Sequence, residues 1–147
     1  MTPQPTHPLA GKEAETVSID RSLIGKESPE EVFEVEKGAI RKFAEAIGDP
    51  HPAFRSGEIA PPTFPITFRM GIPGVNLELS RVLHGEQEYS YRRPVRAGDR
   101  LRCKTRVADV YEREGRLGKM TFLVTEIEGR DEAGELVFTG RSTIIVR

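Results

Sequence analysis

Arg100-Leu101-Arg102-Cys103-Lys104-Thr105-Arg106-Val107 is the stretch on which the reading of the fold turns. Leu101, Cys103, Thr105 and Val107 alternate with Arg100, Arg102, Lys104 and Arg106. A period of two places the first set on one side of a strand and the cations on the other. A helix would scatter the four charges around its circumference. The stretch therefore predicts a strand with one face on a core and one in water, the pattern of an antiparallel sheet. Arg96-Ala97-Gly98-Asp99 reads as the turn before it and Glu114-Gly115 as the turn after it. Residues 117–127, with Phe122, Leu123 and Val124 in a row, carry apolar groups on both faces and so read as a central strand. Ala133-Gly134 turns again. Residues 135–146 form the last strand, with Leu136, Phe138, Ile144 and Val146 on one parity. Upstream, residues 86–93 alternate, with Gln87, Tyr89 and Tyr91 facing one way.

The first half of the chain is different. Val32 to Val35 is short and β-like. Ile40, Phe43, Ala44 and Ile47 then fall at i, i+3, i+4 and i+7, one face of a helix that Gly48 can end. Residues 49–62 are proline-rich and irregular. Thr63 is a candidate N-cap with Pro65 in the first turn, and Phe64, Phe68, Gly71 and Ile72 would share one face of a second, buried helix ending near Pro73-Gly74. Residues 1–19, with Pro3, Pro5 and Pro8, read as a flexible tail, leaving one domain over residues 20–147. The expected class is α+β: an antiparallel sheet wrapped around a central apolar helix. Such a sheet has an exposed edge, which favours a dimer.

Composition narrows the functions. Lys plus Arg number 22 and Asp plus Glu 23, so the formal net charge of −1 argues against a nucleic-acid coat. The basic row would suit a nucleic-acid strand, yet helix-turn-helix and RNA-sheet signatures are missing. One cysteine, Cys103, excludes a disulfide framework and reads as a small core residue. The three histidines, His7, His51 and His84, lack metal-ligand spacing, so no metal is expected. His84 reads as a turn residue and His7 as part of the tail. No phosphate-binding glycine loop and no serine-hydrolase elbow is present. No apolar run reaches the length of a membrane span, and the N-terminal stretch is not a secretory signal; a cytoplasmic location is expected.

Four strings carry a family likeness: Ile24-Gly25-Lys26, Phe43-Ala44-Glu45-Ala46-Ile47-Gly48-Asp49-Pro50-His51-Pro52, Ala60-Pro61-Pro62-Thr63-Phe64, and Tyr91-Arg92-Arg93-Pro94-Val95-Arg96-Ala97-Gly98-Asp99-Arg100-Leu101. Over about residues 20–147 the chain resembles the MaoC-type dehydratases. It looks like their N-terminal dehydratase-like half in fungal-type fatty acid synthases and is similar to the non-catalytic subunit of mycobacterial 3-hydroxyacyl-thioester dehydratases. The resemblance implies a hot-dog fold. It also implies (R)-specific hydration of an enoyl thioester, or the reverse, with no redox cofactor. In active members an Asp and a His in the motif Asp-x-Asn-Pro-x-His handle the protons, and a backbone N–H at the start of the buried helix polarises the thioester carbonyl.

This chain departs from that pattern twice. Asp49 and Pro52 match, but His51 stands at the motif Asn and Phe54 at the motif His. Phenylalanine transfers no proton. At the carbonyl-polarising position the glycine is replaced by Pro62, which has no N–H to donate; Thr63 N–H would serve only if the alignment slips by one. The expectation is an acyl-thioester-binding subunit without its own catalysis, handling acyl-CoA or an acyl carrier and pairing with a catalytic MaoC-type subunit or with itself. Asp49 is then a remnant, and His51 would need re-aiming to act. Ile59, Pro62, Thr63, Phe64, Phe68 and Ile72 are the expected acyl contacts. Arg92, Arg93 and Arg96, part of the basic row that runs on to Arg106, are candidate phosphate contacts. The same row also reads as a solvated face paired across the sheet with Glu126, Glu128, Asp131 and Glu132. Two alternatives are a thioesterase, for which Glu58 is the only nearby carboxylate, and a homodimeric acyl-CoA-binding module.

Overall fold

The computed structural model describes residues 19–147. The expected tail lies outside these residues apart from Ile19, which is half-buried against the core. The chain forms β1 (Glu31–Glu34), α1 (Lys37–Ile47), the short α2 (Pro52–Arg55), and then four long strands: β2 (Val82–Tyr91), β3 (Arg100–Gly115), β4 (Gly118–Arg130) and β5 (Leu136–Val146). All five strands make one antiparallel sheet in the order β1-β3-β4-β5-β2. The apolar stretch around Leu123 is thus the middle strand, because it is the one that must bury both faces. The two edges are unequal: β1 has four residues and β2 ten.

The alternation in β3 survives intact. Leu101, Cys103 and Val107 are buried, while Arg100, Arg102, Lys104 and Arg106 are exposed. Cross-strand pairing continues the inner face through Phe33, Gly129, Phe138 and Tyr91. On that face Ile40 and Ala44 of α1 are fully buried, and Phe43 meets Phe64 edge-on at 5.5 Å. Val35, Val95 and Phe138 complete the main cluster. A second cluster of Leu23, Ile72, Val107, Val110 and Leu123 closes the far end of the face.

Three expectations change. The second helix is absent: Phe64–Thr67 is a single 3-10 turn, and the chain is non-helical from Phe68 to the next short turn at Leu79. Proline at 62, 65 and 73 and the β-branched run Ile66-Thr67 leave little capacity for helix. The spacing of Phe64 and Phe68 reflects contacts in an aromatic cluster instead. Ile72 belongs to the other apolar cluster, so the three do not share a face. The helix against the inner face is α1. Its Ile47 is 48% exposed, because Gly48 ends the helix there in the left-handed conformation at φ 70°. Lastly, His84 lies inside β2 at a bulge around Gly85, where its Nε2 sits 3.1 Å from the Glu86 carbonyl oxygen and 3.3 Å from Ser142 Oγ.

Candidate functional site

The loop after α1 holds the residues on which acid–base chemistry would depend. Asp49 Oδ1 accepts from His51 N–H at 2.9 Å, and the Asp49 carbonyl accepts from Arg55 Nε at 2.7 Å. His51 Nδ1 accepts from Ala53 N–H at 3.2 Å and so caps α2. Phe54 leaves α2 half-buried, its ring 4.8 Å from the His51 ring. Asp49 and His51 are therefore brought together, but each serves the turn: the carboxylate holds a backbone N–H and the imidazole holds a helix start. The Phe54 ring contributes only contact area.

The next segment is clamped to the turn before β3. Ala60 N–H donates to Val95 O at 2.8 Å, Ala97 N–H to Glu58 O at 3.1 Å, and Ile59 forms an isolated bridge with Arg96. Pro61 is fully buried and Pro62 is exposed. The Tyr91 hydroxyl donates to Pro62 O, pinning the start of the 3-10 turn to the edge strand. Burial pushes the Tyr91 phenol above its ordinary range, with Tyr89 adding to the rise, so it remains a donor. Phe64 N–H is taken by Pro61 O at 2.9 Å. Pro62 and Pro65 have none to offer. Among the described residues, Thr63 N–H meets no acceptor. It is a free donor at this chain turn, next to Pro62.

Charge is divided around this region. Arg93 is a structural residue: it grips Asp99 with two bonds of 2.8 and 3.2 Å, and Asp99 Oδ2 also accepts Arg96 N–H at 2.8 Å. The hydrogen bond to Asp99 raises the Arg93 pKa further above its already high value. That leaves Arg93 little freedom to meet a phosphate. The exposed side chains of Arg92 and Arg96, in contrast, have no carboxylate partner among the described residues. The remaining cations of the basic row lie on the outer face and are largely answered there: Arg106 and Arg141 share Glu126 at 3.0 and 2.8 Å, Arg100 meets Glu132 at 3.5 Å, and Lys104 meets Glu27. A groove of about 380 Å³ on this outer face is lined by these pairs and carries no excess of positive charge. Asp131 instead holds the β4–β5 turn through Ala133 and Glu135 N–H.

Between the Pro65–Met70 segment and the inner face lies a smaller, open pocket of about 150 Å³, bordered by Gln87, Thr105, Thr125 and Ser142 as well as by apolar groups. Phe68 forms part of its wall, whereas Phe64 sits in the core and Ile72 at the other end of the sheet. Tyr89 and Arg55 are not singled out by motif reading: Tyr89 is visible only as the parity of a strand and Arg55 not at all, while Tyr91 stands in a family-like string with no role attached to it. Among the described residues there is no cluster of three or more His, Cys, Asp or Glu able to hold a metal, and no helix long and apolar enough to cross a membrane.

The profile of the family described as "FAS1-like, dehydratase domain region" matches residues 22–140. The chain belongs to that family. A "UPF0336 protein" of Streptomyces griseus is 38% identical over 151 residues, covering 89% of this chain and 97% of its own. Among solved structures, this FAS1-like dehydratase region is similar to a chain of the HadBC (3R-Hydroxyacyl-ACP Dehydratase) complex of Mycobacterium tuberculosis. That match has a TM-score of 0.69 and 26% identity, and covers 88% of this chain and 99% of the other. A "MaoC-like dehydratase" superposes with a TM-score of 0.69 at 20% identity, over 85% of this chain and 42% of its own, a likeness of fold. The sheet curled over α1 is thus the hot-dog fold of the MaoC-like dehydratases.

Proposed function

We propose that this chain binds an acyl thioester and is the non-catalytic subunit of an (R)-specific enoyl-thioester hydratase/3-hydroxyacyl-thioester dehydratase, its proton-transferring Asp/His pair supplied by a MaoC-type partner. One observation carries the reading: Phe54 occupies the motif His position, and the nearest imidazole, His51, is committed through Nδ1 to a helix cap. Without a second proton carrier beside Asp49, neither addition of water across the enoyl bond nor its reversal has an acid–base path within this chain. Features for binding remain. Thr63 N–H is free to meet a thioester carbonyl, and Arg92 and Arg96 are free to meet phosphate. The partner has a natural seat at β2, whose ten residues expose backbone groups and Leu83 along the sheet edge. A two-subunit arrangement is also what the name of the HadBC complex describes for that protein.

The test is to assay crotonyl-CoA hydration by the purified chain, by a MaoC-type subunit with an intact Asp-x-Asn-Pro-x-His motif, and by the two co-expressed. The expected result is no turnover by this chain, co-purification of the pair, and faster turnover by the pair than by the catalytic subunit alone. Robust turnover by this chain alone overturns the proposal.

A further inference from the structure

The outer face of the sheet is charged beside β1 and apolar at its far end. Leu123 belongs to the inner cluster, so its neighbours Phe122 and Val124 point outward. Val124 is buried yet lies in neither inner cluster. Register carries Phe122 to Tyr111 on β3, to Ile145 on β5 and from there to Leu83 on β2. Four apolar side chains thus form one row across four strands. Tyr111 and Phe122 stack with centroids 4.8 Å apart, and Leu83 is 46% exposed. At the tip of the β3–β4 hairpin Leu117 is 83% exposed and extends the apolar surface. Helix α1 and the segment holding Ile72, Val75 and Leu77 both pack on the inner face, so neither covers this row. A contiguous apolar patch with a charged rim is the mark of an interaction surface.

The charges on β3 say what fits there. Asp109 and Arg113 lie two residues to either side of Tyr111 and share its face. The Arg113 guanidinium stands over the Tyr111 ring at 5.0 Å and makes no ion pair among the described residues. The Asp109 side chain is 43% exposed, and its cation, Arg21, is 3.8 Å away, so the carboxylate has room for a second. A two-fold axis laid along the row brings a second copy face to face with the first. Tyr111 then meets Tyr111, Arg113 of each copy stands over Asp109 of the other, and Met120 stands over Val124. Sheets packed face to face cross at about 30°, which displaces these pairs by a distance an arginine stem can span. An isologous interface demands that a surface complement itself in this way. The opposite charges placed evenly about the row meet that demand.

We infer that a second copy of this chain packs on the outer face, row against row, with Arg113–Asp109 pairs at the rim. The contact leaves the backbone edge of β2 open and stands whether or not the chain binds a thioester. The row is small beside the roughly 800 Å² per partner of a standard interface, so the association is weak and grows with concentration. The experiment is sedimentation velocity of the purified full chain over a concentration series, with circular dichroism to confirm that each variant is folded. The wild type should pass from monomer toward dimer as concentration rises. Asp109→Arg and Arg113→Asp each set like charges against one another and should weaken the dimer by at least about tenfold. Mixing the two single variants sets Arg against Asp at both pairs and should restore association as a heterodimer. Met120→Glu, on the adjoining outer-face position, should also weaken the dimer and serves as the test if Asp109→Arg does not fold. A chain that is monomeric at every concentration overturns the inference. So does a mixture of the single variants that stays apart, or a dimer that no variant weakens, which is one formed elsewhere, as at the β2 edge.

Discussion

Gly129→Ala tests the packing that shapes the inner face. Gly129 stands opposite Phe138 in the β4–β5 register, and the Phe138 ring lies over it. A Cβ built on Gly129 would be 2.1 Å from Phe138 Cε1 and 2.7 Å from Cδ1. The backbone there is not in the left-handed region, so alanine meets no conformational penalty. Replacing a strand glycine would on its own stabilise by about 0.5–1 kcal/mol. Against this stands overpacking. Phe138 is fully buried and touches Phe68, Tyr89 and Tyr91 at centroid distances of 6.1–6.3 Å, so it has nowhere to retreat. Such insertions cost about 1–3 kcal/mol, sometimes more. The net loss should be about 1–2 kcal/mol, which for a chain of this size lowers Tm by about 3–8 °C. Thermal unfolding followed by circular dichroism measures this directly. Phe138→Leu in the same chain should recover part of the loss, so that the double variant is less destabilised than the sum by about 0.5–3 kcal/mol. Gly38→Ala, at a helical site with nothing within 4 Å of the new Cβ, should leave stability unchanged or raise it. A Gly129→Ala protein with wild-type Tm, or strict additivity with Phe138→Leu, would refute the reasoning.

The charged residues should separate sharply in urea unfolding. Asp99→Ala strips Arg93 and the Arg96 N–H of their acceptor and should cost about 2–3 kcal/mol, whereas Glu126→Gln on the exposed outer face should cost under about 1 kcal/mol. Burial raises the Cys103 thiol from 9.0 to about 12 and the Tyr89 phenol from 10.0 to about 12, and Tyr91 is raised as well. With increasing pH the unfolded chain loses these protons first, so their contribution is intact below about pH 9 and declines above it; the urea midpoint should be level on the acid side of that point and fall progressively toward about pH 12. Gly57 has φ +82° and its Cβ would meet the Lys37 carbonyl at 2.6 Å, so Gly57→Ala should destabilise the chain by more than Gly129→Ala, read by the same thermal assay.

The sheet was legible because its inner face is apolar and its outer face is charged, and a period of two leaves β3 no other conformation. The middle position of β4 followed from its apolar residues on both parities. The second helix was misread because Phe64 and Phe68 are four apart, a spacing that helical geometry and an aromatic cluster both produce; only the prolines at 62, 65 and 73 distinguish them. The outer ion pairs were foreseeable in kind, but which carboxylate meets which cation depends on register, and the bulges at Val107–Asp109 and His84–Glu86 shift register in ways that composition does not encode. At the candidate site, the reading of Phe54 at the motif His position rests on the sequence alone. That His51 caps a helix, that Arg93 is held by Asp99, and that Thr63 N–H is left free depend on loop geometry.

The central claim is that this chain binds an acyl thioester and does not transform it. The most direct measurement is a single-turnover experiment with the purified chain in excess over crotonyl-CoA, following both bound thioester and 3-hydroxybutyryl-CoA. The account predicts that crotonyl-CoA is bound and recovered unchanged. Formation of 3-hydroxybutyryl-CoA that disappears in Asp49→Asn would contradict it.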